Sequence, residues 1–252
     1  MSLINELEKQ GNWLFRYRSH LPLVILVVGL AVFILQIYYP TQLFTYLIRE
    51  HWHTYTWICL AIGLVGLGVR VFTVGHTPAN TSGRNTTEGQ VAGEVNRTGI
   101  YSLVRHPLYL GNFLMWLAIA MMSGSPGFVV IFVLAYWLYY ERIMLAEETF
   151  LIRTFGTIYS DWAAVTPAFI PRLRGYVRPV YPFSWKKVLK KEKNGLFALL
   201  LLLLLFDGIA AWLIPGMRVN IPLLVMTLLT AILYLVLKVL KKSTNLLNKE
   251  GR

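Results

Sequence analysis

Long apolar runs, separated by polar segments rich in lysine and arginine, constrain this chain more than any other feature. They lie at about 21–39, 55–74, 108–122, 126–140, 196–214 and 219–237. A helix crossing the hydrocarbon layer needs about 20 apolar residues, and only helices or closed barrels satisfy their backbones there. The alternation therefore predicts an all-α, polytopic transmembrane protein with about six membrane segments. Composition agrees, since only 14% of residues are charged, against about 25% in soluble domains.

The third and fourth runs are the short ones, each of ~15 residues or about 22 Å. Ser123-Gly124-Ser125-Pro126-Gly127 joins them, so they read as a helical hairpin. Residues 1–20 form an amphipathic lead-in expected on the membrane surface. Gly63, Gly66 and Gly68 in the second run predict close approach by a neighbouring helix. Residues 75–100 lose all periodicity, as a long functional or disordered loop would. They hold N-x-[ST] sequons at Asn80, Asn85 and Asn96. Residues 141–159 read as a helical segment that leaves the membrane. The chain divides into 1–94 (N-terminal spans and polar loop), 95–171 (the core carrying the motifs below) and 172–252 (a basic segment and two closing spans).

A net charge of +12 could indicate a nucleic-acid partner. In so apolar a chain it reads instead as basic loops facing anionic lipid headgroups. Segments 40–54, 123–125 and 215–218 hold Arg49 and Arg218, and the remainder of the 24 lysines and arginines fall on the opposite face or its boundary. The positive-inside rule then puts both termini, the 75–100 loop and the motifs at the cytoplasmic face, with a bacterial inner membrane as the expected location. The sequons would then carry no sugar. Cys59, the single cysteine, lies in an apolar run and supports neither a disulfide framework nor a metal site. His51 and His53 lack a carboxylate cluster, so no metal is expected. Asp207 is an intramembrane carboxyl and so a functional candidate. It follows a leucine run and precedes Gly208, which favours a helix-packing role.

Two motifs carry the chemistry. Arg105-His106-Pro107-Leu108-Tyr109-Leu110-Gly111 places a proline in the first turn of an apolar helix. That N-terminus offers N–H groups and partial positive charge for a carboxylate or phosphate, with Arg105 and His106 as further donors. Glu147-Glu148 is an acidic pair at a basic membrane face. Adjacent helical residues diverge by about 100°, so one glutamate is expected to face a ligand while the other pairs with Arg105, Arg142 or Arg153. S-adenosylmethionine, with a carboxylate, an ammonium and a sulfonium, satisfies both motifs. Tyr101, Tyr109 and Tyr159 could offer ring faces to its adenine or sulfonium.

The sequence resembles the integral-membrane methyltransferases related to isoprenylcysteine carboxyl methyltransferase and the phospholipid methyltransferases. The resemblance spans residues 95–171 and rests on Gly99-Ile100-Tyr101, on the segment from Arg105 to Gly111, and on Glu147-Glu148. It continues through Leu151-Ile152, Phe155-Gly156, Tyr159, Pro167 and Ile170-Pro171. It implies S-adenosylmethionine held at the cytoplasmic boundary and a methyl group aimed at a membrane lipid or lipidated acceptor. On that likeness Tyr101, His106, Pro107, Leu108, Tyr109, Glu147 and Glu148 would form the cofactor site. Arg142 is similar to a family arginine near the acceptor. Gln90, Val95 and Asn96 fall where the family's variable loop meets cofactor. Val165 stands where the prenylcysteine enzymes carry an arginine, which argues against a prenylcysteine carboxylate acceptor.

The implied chemistry is in-line methyl transfer. An anionic acceptor needs cations such as Arg105 and Arg142 to orient it, whereas an amine also needs a base, Glu148 or His106. The eight basic residues of 172–193 favour an anionic lipid. The competing readings are an NADPH-dependent membrane sterol or lipid reductase, to which the glutamate pair is of no evident use, and a non-enzymatic transporter or structural protein centred on Asp207.

Overall fold

The computed structural model describes residues 2–18, 20–40, 43–78, 84–86 and 89–247, with backbone alone at 43–45, 84–86 and 89–91. Proline in the first turn starts several helices, and side-chain oxygens of Ser125, Ser184 and Asn220 cap helices by accepting from the third residue inside, those of Ser125 and Asn220 alongside such a proline. In chain order the helices are α1 (Leu3–Arg16), α2 (Leu21–Tyr38), α3 (Leu43–Glu50) and α4 (Trp52–His76). A two-stranded antiparallel hairpin follows, β1 (Arg84–Thr86) and β2 (Gly89–Val91), with Asn85 opposite Gln90. After a 3-10 turn at Ile100–Ser102 come α5 (Pro107–Met121), α6 (Pro126–Phe155), α7 (Thr157–Val165), α8 (Trp185–Leu213) and α9 (Ile221–Ser243).

Five helices, α2, α4, α6, α8 and α9, are long and apolar enough to cross a membrane, and α5, with 15 residues, is a shorter apolar helix. The polytopic helical architecture read from the sequence is the one observed. Leu23, Val27 and Leu35 on α2, and Leu229, Ile232 and Leu235 on α9, are exposed. Rows of apolar side chains like these suit hydrocarbon and would be costly in water.

One boundary differs from expectation. The second hairpin arm does not stop at Tyr140; α6 is unbroken for 30 residues, about 45 Å. Residues 141–155 contain neither proline nor glycine and are mostly good helix formers. The break comes at Gly156, whose φ of 56° suits a residue without a side chain. Glu147 and Glu148 therefore ride on the membrane helix itself. Likewise α8 begins at Trp185, so the basic segment's second half forms its first turns.

The glycines of α4 bring the bundle together at two of the three predicted positions. A Cβ on Gly66 would stand 2.6 Å from the Gly111 carbonyl oxygen of α5, and one on Gly63 would stand 2.6 Å from Leu199 of α8, whereas Gly68 faces open space. Phe33, Trp52, Cys59, Leu60, Leu199, Leu203 and Phe206 form the buried core between these helices. At one end of the bundle Asp207, wholly buried, accepts hydrogen bonds from Trp52 Nε1 (3.0 Å) and from the Asn220 N–H (2.7 Å). It joins α8 to α4 and to the start of α9, a packing role. At the other end α1 lies on α6, with Gly11 against the Arg142 carbonyl and a two-bond Arg153–Glu8 ion pair at 2.8 Å. There too the Lys187 ammonium donates to the carbonyls of Thr77 and Pro78, fastening α8 to the end of α4.

Candidate functional site

The site lies at the α1 end and is set by the backbone of residues 99–106. Gly99 has a φ of 64°, which turns the chain so that its N–H donates to Val177 O at 2.8 Å. Farther on, Arg105 N–H donates to Pro167 O (2.9 Å), His106 N–H to Ala168 O (3.1 Å) and Arg172 N–H to Leu103 O (3.1 Å). These bonds clamp the motif to the 167–177 stretch. Pro107 then opens α5 with His106 as its N-cap residue. Arg105, His106 and Tyr109 are thereby turned toward the second half of α6.

Arg105 and Glu148 form a two-bond ion pair, Nε to Oε1 at 2.8 Å and Nη2 to Oε2 at 3.2 Å. The remaining guanidinium nitrogen donates to Ala163 O (2.6 Å) and Thr166 O (2.7 Å), so Arg105 also anchors the end of α7. His106 Nε2 lies 2.8 Å from Glu148 Oε1, and its Nδ1 lies 3.7 Å from Glu147 Oε2. Tyr109 Oη donates to Glu147 Oε2 at 2.8 Å. The two glutamates diverge along α6, yet they flank one imidazole; the width of the ring spans the angle between them. His106 is buried and stacks on Tyr109, ring centres 5.5 Å apart. Tyr136 Oη donates to Tyr109 O at 2.8 Å and fixes that tyrosine from below.

Charge is unevenly balanced in this cluster. Arg105 offsets Glu148, whereas Glu147 has a hydroxyl and an imidazole edge beside it and no lysine or arginine among the described residues. Among the described residues, three buried polar atoms near the cluster have no hydrogen-bond partner: Tyr159 Oη, Trp162 Nε1 and Thr166 Oγ1. Such atoms cost about 1–3 kcal/mol each when left unmet. Burial pushes the Tyr159 hydroxyl above its usual pKa, with the Glu148 charge adding to the effect and Arg105 opposing it. Tyr101 is also raised, by burial and then by Glu147, with a hydrogen bond from Asn96 working the other way. Both hydroxyls therefore stay protonated and can donate.

An open cavity of about 190 Å³ adjoins Tyr101, lined by Phe72, His76, Glu94, Val95, Asn96, Thr98, Val180 and Tyr181 among others. Val95 and Asn96 line this cavity together with Tyr101. The side chains of Gln90 and Asn85, and Asn80 altogether, lie outside the described residues. Arg142 is not brought to the cluster: its Nε donates to Gln10 Oε1 (2.9 Å) and its Nη1 to Leu138 O (2.7 Å), which turns it toward α1. The Val165 side chain is exposed, and Arg172, the arginine nearest after it, is spent on the carbonyls of Ser102 and Val165.

Sequence reasoning passed over Arg70. From inside α4 it donates twice to Glu192 of α8 (2.8 and 2.9 Å) and once to Asn112 of α5 (2.6 Å), one turn beyond Tyr109. The signal was present, since an arginine within an apolar run needs an internal partner. Its partner was hidden in a basic segment 122 residues away.

Residues 56–158 match the phospholipid methyltransferase family. The chain is 40% identical over 121 residues to the nickel-cobalt-cadmium resistance protein NccN of Alcaligenes xylosoxydans xylosoxydans, covering 47% of this chain and 54% of that protein. It is 34% identical over 73 residues to the protein-S-isoprenylcysteine O-methyltransferase of Schizosaccharomyces pombe, covering 29% of this chain and 31% of that protein. To methanethiol S-methyltransferase 2 of Bradyrhizobium diazoefficiens it is 37% identical over 86 residues, covering 33% and 32%. The chain spans about half the length of the first of these relatives. No solved structure matches. Among the described residues no group of three or more His, Cys, Asp or Glu is placed to hold a metal ion. The matched segment runs from α4 into α7 and contains Tyr101, the Arg105–Tyr109 motif and the glutamate pair. The resemblance to membrane methyltransferases drawn from those motifs holds.

Proposed function

We propose that this chain is an integral membrane methyltransferase that moves a methyl group from S-adenosylmethionine to a membrane-embedded lipid or lipid-like acceptor. The observation that carries this reading is Glu147. It sits in a half-buried aromatic pocket with a neutral hydroxyl for a partner, while its neighbour Glu148 is fully engaged by Arg105 and His106. An acidic group left uncompensated at a basic membrane face is a site for a cationic ligand.

The residues present fit the cofactor. Glu147 is suited to the ammonium, and the rings of Tyr101 and Tyr109 to the sulfonium and adenine. Arg105 is not available for the carboxylate, because Glu148 and two backbone carbonyls occupy its fork. In the first turn of α5, Tyr109 and Leu110 N–H already donate to His106 O, which leaves Leu108. The donors left for a carboxylate are therefore Leu108 N–H and the orphaned groups of Tyr159, Trp162 and Thr166. S-adenosylmethionine, when bound, supplies an already activated methyl group, so the protein has mainly to position two partners and keep water out.

Positioning falls to Arg105, which locks Glu148 and the end of α7, and to His106, wedged between the carboxylates. With both Glu148 oxygens engaged, the geometry gives an amine acceptor little help in losing a proton. It favours an acceptor that is already an anion. The crowding of lysine and arginine at this end of the bundle supports a cytoplasmic site with both termini on that side, in a bacterial inner membrane. A nicotinamide-dependent reduction gains nothing from the glutamate pair.

Calorimetry with S-adenosylhomocysteine on detergent-purified protein tests the proposal. Wild type should bind in the micromolar range, and His106→Ala and Glu147→Gln should each abolish the signal while keeping the thermal transition. Folded wild type that ignores S-adenosylhomocysteine and binds NADPH would point to a reductase instead.

A further inference from the structure

An anionic acceptor needs a cation near the reacting methyl, and the two arginines that the motifs offer for it are committed elsewhere. Arg105 is bound to Glu148, Ala163 O and Thr166 O, and Arg142 to Gln10 and Leu138 O. Arg18 is in a different state. It stands in the short link between α1 and α2, where a surface helix hands over to a membrane helix. Its guanidinium lies 3.9 Å above the Phe15 ring, half-buried, with no carboxylate and no hydrogen-bond acceptor among the described residues.

Phe15 belongs to one buried cluster with Tyr136, Tyr140, Ile143 and Met144, against which Tyr109 packs. Tyr139 Oη donates to Leu14 O at 2.8 Å, which holds the last turn of α1, just before the link, on α6. A guanidinium held over an aromatic face, with its N–H fork unused, is prepared for two-point binding of a carboxylate or phosphate. Leu23 and Val24, in the first turn of α2, are exposed apolar side chains just beyond Arg18 in the chain.

We propose that Arg18 recognises the anionic headgroup of the methyl acceptor, drawing it from the lipid face of α2 toward the Tyr109–Glu147 pocket. This rests on the methyltransferase reading and names the acceptor class for it: a lipid-borne oxyanion, phosphate or carboxylate. The acceptor oxygen forms the new O–CH3 bond with its own electron pair. The S–CH3 bond breaks, its electrons staying on sulfur, and a neutral thioether leaves. No proton is released, so no base is required. Arg18 neutralises the headgroup until the ester forms.

The test compares wild type, Arg18→Gln and Arg18→Lys in four measurements. S-adenosylhomocysteine calorimetry should be the same for all three, since Arg18 touches neither Glu147 nor His106. The thermal transition of Arg18→Gln should fall only slightly, by the loss of one cation–π contact on Phe15. Native mass spectrometry against dioleoyl phosphatidic acid should show Arg18→Gln retaining one fewer lipid than wild type, with no change for phosphatidylcholine. Methyl transfer from labelled S-adenosylmethionine is then measured to phosphatidic acid vesicles and to N-acetyl-S-farnesylcysteine, which separates a phosphate from a carboxylate source. For whichever anion is methylated, Arg18→Gln should raise KM on the order of tenfold with kcat little changed, and Arg18→Lys should recover part of it. The inference is overturned if wild type and Arg18→Gln share KM and lipid count, or if phosphatidylethanolamine is methylated in preference to both anions. Wild type that fails to bind S-adenosylhomocysteine removes the methyltransferase reading and this inference with it.

Discussion

Each end of the bundle holds an acidic group at a junction of helices, wholly buried at one end and half-buried at the other, and the two are built to different rules. Asp207 closes one end. Trp52 and the Asn220 backbone meet its oxygens, His53 stands 3.7 Å away, and nothing is left over for a ligand. At the other end Glu148 is just as fully bonded, but Glu147 is not, and three buried polar atoms nearby have no partner. A carboxylate in or near a membrane was reason to suspect function in both places. What separates them is spare bonding capacity: a structural site consumes its donors and acceptors, and a binding site keeps some back.

The strongest challenge to that contrast is Arg105, which belongs to the engaged part of the open end. Arg105→Ala strands Glu148 half-buried and frees the end of α7, at a cost of about 3–5 kcal/mol. A lowered thermal transition together with lost S-adenosylhomocysteine binding is expected, and an unchanged transition would mean the ion pair carries no structural weight. Asp207→Ala should come next, at about 2–4 kcal/mol, because two buried donors lose their acceptor. Here the contrast predicts a split. Stability falls, but the folded fraction binds S-adenosylhomocysteine with wild-type affinity. A parallel loss of affinity would make Asp207 part of the working site.

How much of this was legible in the sequence follows the same line. Spans were readable because membrane helices announce themselves by composition, and the RHP and EE motifs, 38 to 43 residues apart in sequence, lie on two pieces that the fold brings into contact. The continuity of α6 was not readable from hydropathy, because polarity changes at Glu141 while helix propensity does not. Nor could spacing show that Arg105 is consumed by Glu148, that Arg142 turns to α1, or that Arg70 finds Glu192. Each depends on which way a long side chain points once distant helices meet. Composition places an arginine at a boundary; only packing decides whether its donors are spent.

A smaller effect probes the hydroxyl that holds Glu147. Tyr109→Phe removes one charge-assisted hydrogen bond but keeps the ring stacked on His106 and packed beside Tyr140. About 1.5 kcal/mol of ligand affinity, or on the order of tenfold, should go with it. Calorimetry reads this directly, and a thermal transition that drops as far as in Arg105→Ala would show that the hydroxyl serves the fold rather than the ligand.

The most delicate prediction concerns Tyr159, 1% exposed and without a partner for its hydroxyl. If that oxygen is simply unmet, removing it is free or favourable, because a buried donor with no acceptor costs more than a hydrogen atom in the same place. If it is held for a ligand carboxylate, its removal still costs the ligand-free protein nothing, yet weakens binding. Tyr159→Phe should therefore leave the thermal transition of the free protein unchanged or slightly higher. S-adenosylhomocysteine affinity should fall by about five- to tenfold, one ordinary hydrogen bond. At a fixed, saturating ligand concentration the stabilisation should shrink by the logarithm of that factor, about 1–1.4 kcal/mol. A variant with wild-type affinity would show that Tyr159 only packs, and would leave Trp162 Nε1, Thr166 Oγ1 and Leu108 N–H as the donors for the carboxylate end. A variant that both melts early and binds weakly would mean that the hydroxyl has a partner in the free protein after all, and the rule drawn from the two ends would fail at its most buried example.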